Sequence, residues 1–309
     1  MRQPLGFFTA ALPELPLPTV LGLAQHWQLS ALELGVGGYP GTAHADALAL
    51  REEPDERRRL RQLLKDHAIR HLVLSCHSNP LHPDPESARQ ADQVLHATLE
   101  LAHEWSVDTV VAFSGAASSG SVLNWPVAPW PEEYPSFRAR IWADQLIPYW
   151  QGVEKRADQL GVNIALEMHG GFLVHSPGTL LELRQACGNR IGANLDPSHF
   201  WWQGLDPLAG IRLLGDALFH VHLKDWQADP EQQALWGLLD PRPMTTQPRA
   251  WQFRVPGRGH DHEFWQPFLE TLSEHRFTGM LSVEHEDPDL PAREGIAEAI
   301  RFIRSMAGS

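Results

Sequence analysis

Residues 163–196 read NIALEMHGGFLVHSPGTLLELRQACGNRIGANLD. A short β-rich run stands at each end, Asn163 to Glu167 and Gly192 to Asp196, and each closes on a carboxylate. The segment between them is long enough for the dozen or more residues that a crossover between parallel strands requires, so the stretch reads as one βαβ unit. The same alternation continues outward in both directions. Toward the N-terminus lie candidate strands Leu5 to Thr9, Ala31 to Gly35, His71 to Cys76 and Asp108 to Phe113; toward the C-terminus lie Leu218 to His222 and Met280 to Glu284. With the two that open the argument, the candidates make eight strands.

Helical patterns separate them. From Glu56 to His67, Leu60, Leu63 and Leu64 share a face, and from Glu86 to Glu104, Ala91, Leu95, Leu99 and Ala102 do. The stretch Phe137 to Leu160 contains Pro148, where a break or kink is expected. Eight strands alternating with helices most economically close into a single (β/α)8 TIM barrel, here one α/β domain over residues 1–309. An open doubly wound sheet usually carries a Gly-rich phosphate loop after its first strand, and TAALPELPLP at residues 9–18 is nothing like one. Two βα loops are extended, after strands four and seven: Ser114 to Tyr134 and Trp226 to Val255. Both are rich in Trp and Pro, and a lid or a subunit contact in a homo-oligomer is the expected use. No internal repeat, low-complexity segment or linker divides the chain.

Composition narrows the function. The chain has 309 residues, 43% of them hydrophobic, enough for one large core. Its 38 acidic and 25 basic residues give a formal charge of −13, with 17 His counted neutral. Such a surface repels polyanions, so no nucleic-acid partner is expected. Cys76 and Cys187 lie far apart in no CxxC pattern, which suits a reducing compartment. The opening MRQPLGFFTAALPELPLP is interrupted by Pro4, Pro13, Pro16 and Pro18, and no stretch approaches the roughly 18 apolar residues of a membrane span. A cytoplasmic protein with no membrane partner is expected.

In a barrel, the C-terminal ends of the strands face one mouth. Four successive late strands each bring a ligand-type side chain there: Glu167 in NIALEMH, Asp196 in ANLDPSH, His222 in FHVHLKD and Glu284 in LSVEHED. Together they form a hard, mostly oxygen site of charge about −3, whose self-repulsion a divalent cation such as Mn²⁺, Mg²⁺, Co²⁺ or Zn²⁺ would relieve. Any one of them alone could be a helix cap or an ion-pair partner; the recurrence at four matching ends carries the reading. His220 shares the side of His222 but lies deeper, which suits a buried hydrogen-bonding partner, and Glu286 already lies in the loop. Further candidates for substrate contact are His77, His169, His199, Lys224 and Glu33, together with Arg258 and His260 in a Gly-rich turn before a helix. Glu33 alternatively caps the loop GVGGYPG, and Lys224 alternatively pairs with Asp225. Trp125, Trp130, Trp201 and Trp202 offer faces for a sugar ring or for subunit packing. Asp261 and His262 open a helix, where Asp261 suits a cap.

These segments resemble the xylose isomerase-like barrel superfamily, often labelled sugar phosphate isomerase/epimerase, which includes tagatose 3-epimerase, hydroxypyruvate isomerase and inosose dehydratase. The likeness runs through ALELGVGGYPG, LSCHSNPLHPD, ALEMHGGF, ANLDPSHFWWQGLDP, HVHLKD, VPGRGHDHEFW and LSVEHED, nearly the whole chain. It implies one divalent ion on Glu167, Asp196, His222 and Glu284, with His199 near substrate and Lys224 beside the reacting carbon. The implied activity is isomerisation or epimerisation of a sugar or keto-polyol by proton removal α to a carbonyl, through an enediolate, with Glu167 and Glu284 as acid and base. The ketose epimerases carry an Arg shortly after the strand-seven His; here HLKDWQAD has none before Arg242, which leans toward an inosose dehydratase-like lyase as the alternative. Endonuclease IV shares the barrel and the Asp-x-x-His pattern, but its strand-four His and D-x-H element are missing, so a repair nuclease is the least expected outcome.

Overall fold

The computed structural model describes residues 3–306, so the outermost ends of the expected 1–309 domain lie outside it. Eight parallel strands form one sheet: β1 (Leu5–Phe7), β2 (Ala31–Gly35), β3 (His71–Ser75), β4 (Thr109–Ala112), β5 (Asn163–Glu167), β6 (Ile191–Leu195), β7 (Leu218–Leu223) and β8 (Leu281–Val283). Each strand pairs with its neighbour in chain order, and β8 returns to β1 with Leu5 opposite Leu281. The ring is completed between β1 and β2 by a parallel bridge from Phe8 to Glu33. A glycine is needed at that seam: a Cβ on Gly6 would stand 2.7 Å from the Ala31 carbonyl oxygen. The molecule is a TIM barrel with helices outside.

All eight expected strands are present, with ends shifted by a residue or two. The shifts matter at the mouth, because Asp196 and Glu284 fall one residue beyond β6 and β8 while Glu167 is the last residue of β5. Side chains alternate along each strand, so every second residue points into the barrel. Ala31, Val73, Val111, Ala165 and Met280 form a small apolar cluster of their own. Two residues further along the same strands stand Glu33, Ser75, Glu167 and Ser282, and a further step brings His77 and Glu284. The interior therefore grades from an apolar floor to a polar mouth.

The outer helices behave as their patterns require. Pro54–Asp66 buries Leu60 and Leu64, with His67 as its C-terminal cap rather than its last turn. Pro85–Trp105 starts on Asp84, whose side chain accepts from the Ser87 N–H. The break expected at Pro148 takes the form of a π-turn, Trp142–Leu146, between helices Glu133–Ile141 and Ile147–Leu160. The chain stays helical from residue 133 to 160, and the π-turn just before Pro148 accommodates its missing N–H. The two extended loops carry structure: a hairpin of Ala117–Ser119 with Val122–Asn124 in one, and in the other an antiparallel pair, Asp225–Ala228 with Trp251–Arg254, around helix Pro230–Trp236. No helix among the described residues is long and apolar enough to cross a membrane.

Candidate metal centre at the barrel mouth

Local sequence explains how each side chain is held. Asp196 is the N-cap of the short helix Pro197–Trp201, with proline in the first turn. One of its oxygens, Oδ1, accepts from the Ser198 N–H at 2.8 Å. The other, Oδ2, is left facing the mouth, 3.0 Å from Lys224 Nζ and 3.4 Å from His199 Nε2. The DPSH segment thus divides one carboxylate between a capping duty and the site. His199, one helical turn on, swings back to place Nε2 3.2 Å from Glu167 Oε1. His77 reaches the other oxygen of Glu167 at 2.8 Å.

His222 stands between two layers. Its Nδ1 lies 3.0 Å from Glu284 Oε2 and 3.7 Å from Glu167 Oε2, while its Nε2 points down to Glu33. One ligand atom each from Glu167, Asp196, His222 and Glu284 can be chosen so that all lie within 4.8 Å of one another. Two overlapping groups among the described residues meet the same criterion: Glu33, His220 and His222 below, and Glu167, His169 and His199 to one side. Three carboxylates and one imidazole nitrogen form a donor set that suits a hard divalent ion. Asp196 Oδ2 and His222 Nδ1 are buried without a well-directed hydrogen bond among the described residues, although both have an oppositely charged neighbour at contact distance. Such atoms fit a cation.

The charges follow from burial and proximity. Burial works against ionising Glu167, but bonds from His199 and His77 and the charge of His222 outweigh it and hold the carboxyl well below its usual range. Burial raises Asp196, Glu284 and Glu167 add to the rise, and even with Lys224 opposing them it is pushed up to about 7. His199 is lowered to about 3 by burial, then by His169 and Lys224, so it is a neutral imidazole. Lys224 resists the lowering effect of burial because Asp196, Glu284 and Glu286 surround it, and it stays protonated well above its ordinary range.

A cavity of about 330 Å³ opens over these groups. His77, Glu167, His169, His199, Lys224 and Glu284 all line it, six of the residues expected at the site from sequence. Three other residues expected there lie outside this lining. Glu33 is the middle residue of β2 and fully buried. Its carboxylate accepts from His220, His222 and Ser75, because the inward position two residues above Ala31 is still below the mouth. Arg258 points outward to Glu298, at 2.7 Å. His260 is held by Asp225 at 2.7 Å and stacks on Trp201, ring centroids 4.1 Å apart. The turn that looked ready for an anion already has one, since Asp225 accepts the N–H groups of Gly257, Gly259 and His260. Lys224 accordingly pairs with site carboxylates and not with Asp225.

The tryptophans pack the loops together. Trp202 lies 5.7 Å from Trp125 and 5.6 Å from Trp251, ring to ring, and joins the two extended loops; Trp130 is exposed. The aromatic walls of the cavity are instead Phe8, Tyr39 and Phe113. Phe8 and Phe113 each sit one residue beyond a strand, the same positional signal that marks the acidic groups. Glu286 was set aside as a loop residue, yet it lines the cavity with its Oε2 2.8 Å from Lys224; its alternation with Glu284 was the available clue. His220 and Asp261 are placed as expected, one buried against Glu33 and the other capping helix His262–Glu274.

Fold and mouth together define a barrel that gathers acidic and imidazole side chains beside a cavity. The chain belongs to the xylose isomerase-like TIM barrel family, whose model matches residues 29–306. It is 33% identical to the uncharacterized protein YfiH of Bacillus subtilis (strain 168), over 97% of this chain and 98% of that one. It is 24% identical to an inosose dehydratase of Lacticaseibacillus casei, over 92% and 89% of the two chains. Among solved structures, a D-psicose 3-epimerase examined in the presence of D-fructose superposes with a TM-score of 0.66 at 16% identity, covering 99% of this chain and 100% of that one. The proteins it is similar to thus include an epimerase, in fold, and a dehydratase, in sequence.

Proposed function

We propose that this protein is a divalent-metal-dependent isomerase or epimerase of a sugar or keto-polyol. The observation that carries the reading is the meeting of Glu167, Asp196, His222 and Glu284 within 4.8 Å, directly beneath the cavity. An ion bound there, Mn²⁺, Mg²⁺, Co²⁺ or Zn²⁺, supplies Lewis-acid polarisation of a substrate carbonyl or neighbouring hydroxyl. The chain supplies the rest. Glu167, ionised and edged by two imidazoles, accepts the proton α to the carbonyl; Glu284, across the mouth on β8 and kept ionised against its burial by Lys224 and His222, passes to the resulting enediolate a proton taken from the Lys224 ammonium 2.9 Å away, which solvent at the half-exposed Glu286 replaces. Lys224 and neutral His199 hold oxygen atoms as charge develops, His77 and His169 bind further hydroxyls, and Phe8, Tyr39 and Phe113 keep water from the reacting carbon.

A second reading, dehydration of a keto-polyol, is supported by Lys224. Its ammonium lies 2.9 Å from Glu284 and 2.8 Å from Glu286, where it can deliver a proton to a departing hydroxyl and be recharged. The similarity to inosose dehydratase over most of both chains supports it too.

Proton NMR of sugars, inososes and keto acids in D₂O with Mg²⁺ or Co²⁺ separates the two. Isomerisation or epimerisation gives solvent deuterium at carbon without loss of water; dehydration gives an enone absorbance. Glu167→Gln and Glu284→Gln should each reduce exchange by at least about 10²-fold, as expected for removing a general acid or base, with unfolding temperature and far-UV spectrum unchanged. Full exchange in either variant would remove that carboxylate from the chemistry.

A further inference from the structure

Beneath His222, one layer deeper in the barrel, lies a group for which the proposed chemistry has no use. Glu33 is fully buried and accepts three donors: His222 Nε2 at 3.1 and 3.0 Å from its two oxygens, His220 Nε2 at 3.0 Å, and the Ser75 hydroxyl. An ionised carboxylate can only accept, so each of these nitrogens carries the hydrogen. That fixes the orientation of the His222 ring: with Nε2–H turned down, the opposite nitrogen, Nδ1, is the one that faces Glu284 and Glu167.

A histidine ring turns about a broad, roughly two-fold torsion, and nothing in the ring itself decides which edge faces up. We infer that Glu33 is a positioning residue, which, with Ser75 and His220, locks the His222 ring so that Nδ1 is presented to the cation site. The inference rests on the metal-dependent reading above. Phe8, stacked on His222 with ring centroids 5.7 Å apart, covers one face of the ring and leaves the Glu33 contact to fix its rotation. The group Glu33, His220 and His222 could in principle hold an ion of its own. Its nitrogens and oxygens already lie at hydrogen-bond separation, however, and an ion between them would strip all three imidazole and hydroxyl donors from a buried carboxylate. An orienting contact of this kind typically sets metal affinity by 10- to 100-fold.

The test is titration of the metal-free protein with Mn²⁺ and Co²⁺ against a competing chelator, alongside its unfolding temperature. Wild-type protein should take up one ion per chain, and Glu33→Gln should bind it about 10- to 100-fold more weakly while the metal-free variant unfolds within a few degrees of wild type. Ser75→Ala, which removes a donor to Glu33 and leaves the carboxylate in place, should weaken binding several-fold, and it carries the test should the Gln variant not fold. Unchanged affinity in the variants overturns this inference alone, as does a second ion per chain. No ion bound by wild type overturns both it and the reading it rests on.

Discussion

At the mouth, single carboxylates differ because their neighbours do. Glu167 stays ionised in spite of its burial because the imidazoles of His199 and His77 lie against its oxygens and His222 adds charge, whereas Asp196, close by, is pushed up to about 7 by burial and by Glu284 and Glu167. A cation requires Asp196 ionised and His222 stripped of the proton on Nδ1; burial lowers His222, but Glu33 and Glu284 overcome this and hold it well above its usual range. Both steps release protons. Metal affinity should therefore rise as pH increases through about 7, and titration in buffers of different ionisation enthalpy should show proton release; pH-independent binding would contradict this. The sign for stability is opposite in the metal-free protein. Between 3.8 and about 7 the folded state holds a proton on Asp196 that the unfolded chain has lost, so this group's contribution to stability falls as pH rises across that window. The meeting of Glu167, Asp196, His222 and Glu284 was legible in the sequence because each stands within a residue of a strand end and period-two alternation turns it inward. The depth of Glu33 was not legible, because composition marks a strand but not how far along it a residue sits.

At the scale of elements, the turn after the second extended loop shows how a short motif misleads. PGRGH at residues 256–260 has the glycines and exposed N–H groups of an anion loop. Asp225, the first residue of the loop's antiparallel pair, occupies it from within. It accepts from Trp226, Gly257, Gly259 and His260 N–H groups and from the Trp265 ring, and it is fully buried. Sequence spacing could not show a partner more than thirty residues away. Replacing Asp225 with Ala would leave several buried donors unpaired and should cost about 3 kcal/mol, since one orphaned buried group costs 1–3 kcal/mol; urea unfolding measures it. A loss under about 0.5 kcal/mol would show that water serves these groups equally well. The same loop returns at Phe253, whose ring lies 4.6 Å from Lys224 Nζ and packs edge-on against His199. The second extended loop thus touches the site through the Phe253 ring, while no tryptophan lines the cavity.

For the molecule as a whole, the alternation of strands and helices was enough to fix a barrel, because eight parallel strands have few other ways to bury both faces. What alternation could not supply was the interior gradient, an apolar floor under a charged mouth. A mouth carrying Glu167, Asp196, Glu284 and Glu286 against Lys224 and a protonated His222 keeps an excess of negative charge, which a divalent ion would relieve. Ion binding should therefore stabilise the folded chain by about 2.7 kcal/mol at a free concentration 100 times the dissociation constant. Thermal unfolding with and without chelator reads this directly; identical curves at saturating Mn²⁺ would mean that nothing binds the native state.

The most direct test of the central claim is anomalous diffraction from crystals grown with Mn²⁺. A single strong peak should lie enclosed by Glu167, Asp196, His222 and Glu284. No peak, or one seated instead among Glu167, His169 and His199, would contradict the account.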